Sequence, residues 1–423
     1  MPLQGPFLVV ADSPAPDVVE ALRNAGAFPI IETDWAGADD ALATVTPEAV
    51  VTEACADASR AEHFAKVLTE RLKAGDRAYT PVLARTRDDG SVQLADALAI
   101  SAAVPAVRIA RRLSAALRVR TLHATVLRRM QTLAAHGDPP PPLPQNDALD
   151  DATVLVAGRG RSYPALGVAV GERVGLVGAL SVESAARALN TRDIDGMVIG
   201  DGFGPRIVEA LLTVLAEDVR FRDLPVAVLG GHPETIEDFY QHLPNLDRVA
   251  EGPERLVDRF LPFVRLHAFG QQLKRMLKSL DAKGMLDPTT GLLAHDAFWR
   301  DLNRAVDDAE KRGVGLSIAR FAFEKADRRV SLDAARLVAR LMRQVDFACR
   351  EADNSIFAVF TETDLRAAHV IARRIASVLR HTMLAPDPKQ GGGIETAVTL
   401  ATLKPSDNVD SLISRIVGEV AGG

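Results

Sequence analysis

Short apolar runs alternate with longer helical patterns over the first two-thirds of the chain. Residues 7–11 (Phe-Leu-Val-Val-Ala) form an apolar run that ends at Asp12-Ser13-Pro14. Val18, Val19, Ala21, Leu22 and Ala25 follow at helical spacing, and Pro29-Ile30-Ile31, Val50-Val51 and Pro81-Val82-Leu83 repeat the strand signal. After residue 150 the order returns: Val154-Leu155-Val156, Val174-Gly175-Leu176-Val177, Met197-Val198-Ile199 and Val226-Ala227-Val228-Leu229 are separated by helical stretches, one of them from Val182 to Leu189. Such alternation predicts parallel sheets covered by helices on both faces, so two copies of one α/β unit are expected.

Two long helices are predicted beside these units. Over 105–135, Ile109, Leu113, Leu117, Val126 and Leu127 give an apolar face that packs on its own domain or on a partner. The accompanying Arg108, Arg111, Arg112, Arg118, Arg120, Arg128 and Arg129 read as a solvated face in preference to a nucleic-acid surface. Over 254–283, Leu273, Met276, Leu277 and Leu280 keep the i, i+3, i+4, i+7 pattern, with Pro262 kinking the helix or lying near its start. Between the two units lies Pro139-Pro140-Pro141-Pro142-Leu143-Pro144, which cannot continue a helix and marks a boundary. The expected division is 1–138, a linker at 139–150, 151–282 and 283–423.

Composition adds limits. The 423 residues suffice for two to four domains, and a net charge of -6 argues against a nucleic-acid partner. Two distant cysteines, Cys55 and Cys349, exclude a disulfide framework and fit a reducing compartment. No apolar stretch is long enough to span a membrane, and Met1-Pro2-Leu3-Gln4-Gly5-Pro6 has no basic region ahead of an apolar core. A cytoplasmic location is the expectation.

The acidic residues at strand ends sharpen the picture of the front units. Asp12 follows the first strand, Glu53 closes the run Pro47 to Glu53, and Asp57 lies four residues on. This order of elements and acids resembles the receiver domains of response regulators, which have the flavodoxin-like, doubly wound parallel fold. The resemblance makes Asp12 a candidate metal ligand, with Ala11 in its neighbour's place. It puts Glu53 at the phospho-acceptor position, with Asp57 a weaker candidate, and finds no reading lysine over 98–105. In the second unit Gly158-Arg159 replaces the acidic pair. Gly200 takes the acceptor position with Asp201 one residue late, Gly230 takes the hydroxyl position, and Glu251-Gly252-Pro253 lacks the lysine. Both units read as structural or dimerising receivers without phosphotransfer.

From residue 286 the chain resembles the GGDEF domain of diguanylate cyclases, an α/β fold. Leu286-Asp287-Pro288-Thr289-Thr290-Gly291-Leu292 matches the family's opening motif except at Thr289, and Ala294-His295 stands where Asn-Arg is usual. The runs Asp346 to Glu351 and Ser355 to Asp364 then flank the signature without a gap. In that register Ala352-Asp353-Asn354-Ser355-Ile356 replaces Gly-Gly-Asp/Glu-Glu-Phe. The family's glycines let the backbone approach GTP without a Cβ in the way. Its third position supplies a carboxylate to Mg²⁺, where Asn354 offers a neutral amide. Arg320 falls at the other metal-binding position, after the strand Gly315 to Ala319, and no phosphate-gripping lysine-rich tail is seen before Gly423. No catalytic residues and no catalytic metal are therefore expected. Asp353-Asn354 still suit a hairpin turn.

The family's inhibitory site is an arginine and an aspartate three apart, the aspartate six residues before the first signature glycine. Arg343 and Asp346 hold these places, and Arg374 lands at the position of a further arginine on the next helix. The bare spacing recurs at Arg85/Asp88, Arg192/Asp195, Arg220/Asp223, Arg255/Asp258, Arg304/Asp307 and Arg350/Asp353, so the register singles this pair out. Arginine donates two bonds to guanine O6 and N7 or stacks on the base, and a carboxylate accepts from N1 and N2. Two receivers before a degenerate GGDEF domain is the layout of PleD-like regulators. The resemblance implies a non-enzymatic effector that binds cyclic di-GMP and acts as a homodimer at a cell pole. Its implied protein partners are adaptors or substrates of a ClpXP-type protease. The alternatives are a ligand-independent scaffold and a residual cyclase.

Overall fold

The computed structural model describes residues 3–55, 57–72, 77–86, 94, 97–102, 104–144, 146–229, 236–249, 252–323, 328–382 and 395–418. Two compact units result, one built from residues 6–120 and 142–274, the other from 3–5, 121–141 and residues from 275 onward. The division cuts both long helices, α4 (Val107–Ala135) between 120 and 121 and α9 (Pro253–Asp281) between 274 and 275.

The first of these units holds two parallel five-stranded sheets. One runs β1 (Phe7–Val10), β2 (Ile30–Thr33), β3 (Ala49–Thr52), β4 (Val82–Thr86) and β5 (Leu98–Ser101), in the spatial order β2-β1-β3-β4-β5. The other runs β6 (Thr153–Ala157), β7 (Gly175–Ala179), β8 (Gly196–Ile199), β9 (Val226–Leu229) and β10 (Leu246–Val249), in the order β10-β9-β8-β6-β7. Both are one doubly wound order, in which the first strand sits between the second and third. Fully buried runs such as Phe7–Val10 and Gly196–Ile199 carry no polar face because helices cover both sides. Strand β10 escapes an apolar search because Asp247 and Arg248 interrupt it.

The arginines of α4 correct the expectation of a solvated face. Arg108, Arg112 and Arg120 are 4%, 1% and 3% exposed. Arg112 donates to the Ala99 carbonyl of β5 at 2.7 Å and to the Leu246 carbonyl of β10 at 3.2 Å, so one guanidinium joins the edge strands of both sheets. Arg108 also donates to the Leu246 carbonyl and stacks on Tyr240, 3.5 Å from the ring centroid. Arg120 is bidentate to Glu48, at 2.6 and 3.0 Å. The reason is geometric: the row meets strand-end carbonyls and buried carboxylates, which satisfy a desolvated guanidinium.

In the other unit Arg128 and Arg129 are equally buried, and both approach Asp301 of α10 (His295–Arg312), a fully buried carboxylate. The sheet of this unit runs β12 (Phe347–Arg350), β13 (Ile356–Thr361), β11 (Leu316–Phe323) and β14 (Thr396–Thr402) in the order β12-β13-β11-β14, all antiparallel. Helices α11 (Arg328–Leu341) and α12 (Leu365–His381) pack their alanine-rich faces on it through Ala334, Ala335, Val338, Ala368, Ala372 and Ile375. Strand β11 runs through Arg320 instead of ending before it, and Pro262 lies inside α9.

Candidate functional site

The stretch 352–355 lies in the tight turn between β12 and β13, and Ile356 opens β13. Arg350 pairs with Ile356 in register, and the Glu351 N–H donates to the Ser355 carbonyl at 2.8 Å. Asn354 takes a left-handed φ of 66°, which asparagine tolerates better than most residues. Asp353 folds back on the turn and accepts from the Ser355 N–H at 2.9 Å and the Ser355 hydroxyl at 2.6 Å. Its other oxygen accepts from Arg320 Nη2 at 2.6 Å. Burial pushes the Asp353 carboxyl up, but the Ser355 bonds and Arg320 outweigh it and hold it below the usual range. The Asn354 amide oxygen is taken by Arg350 at 2.9 Å. The turn therefore closes on two guanidinium groups, and no group of three or more metal-ligating side chains gathers among the described residues. The opening motif lies alongside. Asp287 accepts from the Thr289 N–H and hydroxyl and from the Thr290 hydroxyl, and the Leu293 N–H donates to the Ala348 carbonyl of β12.

Arg343 and Asp346 lie on the turn between α11 and β12. Arg343 Nε and Nη2 each donate to Asp346 at 2.7 Å. Nη2 also donates to the Thr361 carbonyl at 3.2 Å and the Thr363 hydroxyl at 3.0 Å. The Thr361 N–H closes the set by donating to Asp346 Oδ1 at 3.1 Å. The Asp346 side chain is 1% exposed and that of Arg343 30%. Burial raises the Asp346 carboxyl above the ordinary aspartate value, against the opposing pull of Arg343 and Thr361. Among the described residues none of the pairs Arg192/Asp195, Arg220/Asp223, Arg255/Asp258, Arg304/Asp307 and Arg350/Asp353 forms such a contact. Asp195 faces His267, Asp223 faces Arg118 and Asp258 faces Arg173. Asp88 lies outside the described residues. Arg374 is exposed on α12, nine residues beyond its first residue, and makes no ion pair among the described residues.

At the head of the first sheet, Glu53 meets a cation. Arg85 of β4 donates to Glu53 at 2.7 Å and to Asp17 at 3.0 Å, with Arg85 and Glu53 both nearly buried. Asp57 accepts from the Ser59 N–H at 2.9 Å at the start of α3 (Ala58–Leu72), which makes it a helix cap. Asp12 is exposed. In the second sheet Asp201 accepts from the Ser162 N–H and hydroxyl, next to the Gly158-Arg159 loop. Gly230 and Glu251 lie outside the described residues.

No family model matches the chain, and no curated protein matches it. Among solved structures it is similar to the GGDEF domain of DgcB from Caulobacter crescentus, in complex with c-di-GMP. That match has 18% identity, a TM-score of 0.30, and covers 33% of this chain and 92% of that one. It is also similar to the GGDEF domain of FimX from Pseudomonas aeruginosa, at 14% identity and a TM-score of 0.29, over 32% of this chain and 90% of that one. A third is the active GGEEF domain of a diguanylate cyclase from Vibrio cholerae, at 16% identity and a TM-score of 0.27, over 29% of this chain and 88% of that one.

Sequence reasoning missed three members of these sites. Arg85 carries no signal beyond being a cation inside an apolar strand. Thr361 and Thr363 look like ordinary β-formers. The pairing of Arg320 with Asp353 was open to view, because an arginine and an aspartate had both entered positions where the GGDEF resemblance places other residues.

Proposed function

We propose that this chain is a non-enzymatic effector that binds cyclic di-GMP through Arg343 and Arg374. The observation that carries the reading is the Arg343–Asp346 pair at the foot of the degenerate turn, alone among the described look-alikes in forming. Its geometry supports one change of role. Asp346 is buried beneath Arg343, so it orients the guanidinium and leaves base recognition to Arg343 and Arg374. The plane of the Arg343 guanidinium suits stacking on a guanine base, and the exposed Arg374 suits its O6 and N7.

The absence of cyclase activity is part of the proposal. It is supported by Arg320, whose guanidinium neutralises Asp353 at the turn where the family gathers carboxylates around Mg²⁺. The layout of two doubly wound sheets before such a domain resembles PopA. On that resemblance the effector would sit at a cell pole and bring a substrate to a ClpXP-type protease, its first two sheets acting as receiver-type interaction surfaces.

Isothermal titration with cyclic di-GMP tests the reading. Wild type gives a binding isotherm, and Arg343→Ala and Arg374→Ala both lose it. Arg374→Ala is the cleaner variant, because an exposed side chain is removed. No heat with wild type, or unchanged affinity in both variants, would sink the proposal. The ligand-independent scaffold is the second reading, and the burial of Asp346 favours it: a pair so enclosed serves as a structural tie with no ligand at all.

A further inference from the structure

Among the described residues the outer edge of the second sheet is bare. Strand β7 pairs with β6 on one side only. The Gly175 N–H donates to the Ala152 carbonyl and the Gly158 N–H to the Ala179 carbonyl, so the odd-numbered residues 175, 177 and 179 face β6. By the two-residue period of a strand, the N–H and C=O groups of Leu176 and Gly178 point outward. They have no sheet partner among the described residues.

Exposed strand edges are ordinarily blunted by charge, proline or a bulge. The corresponding edge strand of the first sheet, β2, carries the exposed Glu32. Strand β7 reads Gly-Leu-Val-Gly-Ala with no such device. Beside it lies α5 (Tyr163–Gly171), whose sequence Tyr-Pro-Ala-Leu-Gly-Val-Ala-Val-Gly has no charged residue on any face. Such helices are normally buried all round. Here Val168 is 60% exposed, Leu176 43% and Leu180 60%.

We infer that a second copy of this chain covers this edge, the two β7 strands meeting antiparallel about a twofold axis at Val177. The pattern of the strand is complementary to itself under that operation. Leu176 falls opposite Gly178 of the copy, twice by symmetry, and both residues direct their backbone groups outward. Each such pair exchanges two hydrogen bonds. Leucine meets glycine instead of another leucine, under Tyr163, which reaches over Gly178 from α5. An uncharged edge meets its own copy without like-charge repulsion, which a charged edge could not do. Val177 meets Val177 of the copy as the close, non-hydrogen-bonded pair.

Three measurements test the pairing on the full chain. Light scattering after size exclusion gives twice the 45.3 kDa chain mass for wild type, and the single-chain mass for Leu176→Pro and Leu176→Lys. Proline at 176 removes a donor that no strand among the described residues uses, and lysine adds charge to the edge. Val177→Cys needs no loss of structure: the non-hydrogen-bonded pair brings the two Cα atoms within disulfide range, and the native Cys55 and Cys349 are both buried. Oxidation then yields a covalent dimer on a non-reducing gel. A monomeric wild type, a dimer that survives both Leu176 variants, or no cross-link in Val177→Cys overturns the inference.

Discussion

Arg320 in the middle of β11 holds Asp353 at the β12–β13 turn by a single contact of 2.6 Å between Nη2 and Oδ2. Two substitutions relative to the GGDEF pattern thus answer one another, and the pair ties the turn to β11 where the pattern has glycines. With GTP and Mg²⁺, wild type is expected to release no cyclic di-GMP above a protein-free blank. Arg320→Asp alone does not restore it, because Ala352 and Asn354 remain. Chromatographic detection of product from either protein would refute both statements.

Thr363 accepts from Arg343 Nη2 and donates to the Thr361 carbonyl at 2.8 Å. Thr363→Val removes a partner of the guanidinium without touching the ligand. Loss of one such bond costs about 1 kcal/mol, roughly a fivefold weakening of cyclic di-GMP affinity by titration. An affinity equal to wild type would separate Thr363 from the site.

Asp301 is the anchor of the unit that carries the candidate site. Burial alone would raise its carboxyl, but Arg129, Arg128 and Thr132 outweigh it and hold it below 3.8, the ordinary value. A depressed carboxyl contributes stability that is fully present above 3.8 and is lost as pH falls through the lower, folded-state value. Asp301→Ala leaves Arg128 buried without its counter-ion and Arg129 with Asp281 alone, at a cost of about 3–5 kcal/mol in a urea melt. The variant's stability also falls less steeply than wild type's below the ordinary carboxylate range. Equal acid limbs for the two proteins would contradict the assignment.

Glu53 and Arg85 stand together at 2.7 Å with little solvent between them. Glu53→Gln leaves a nearly buried guanidinium short of charge, and chemical denaturation registers a loss of about 1–3 kcal/mol. The double variant Glu53→Gln with Arg85→Met recovers part of it, because an apolar side chain no longer needs the anion. If the double variant is the less stable of the two, the pair is not the source.

Apolar runs were enough to place β1, β3, β6, β8 and β9, because strands buried on both faces can hold nothing else. They were silent on β10, where Asp247 faces Arg112 and Arg259 and the polar residues are paid in ion pairs formed far along the chain. The same non-local chemistry defeated the reading of α4. An arginine is assigned to water unless its partner is known, and Arg112 finds carbonyls 132 and 134 residues ahead while Arg120 finds a carboxylate 72 residues behind. Around the candidate site, motif register singled out Arg343 and Asp346, which the structure pairs, and the hairpin turn. It could not say that Asp346 would be sealed beneath Arg343, because that depends on the Thr361 backbone across the sheet.

Arg112 grips a carbonyl from each of two sheets with one rigid, planar group. The edge strands β5 and β10 cannot separate without stripping a wholly buried cation of its acceptors. Parting the two sheets along this line therefore carries the cost of a desolvated, unsatisfied guanidinium.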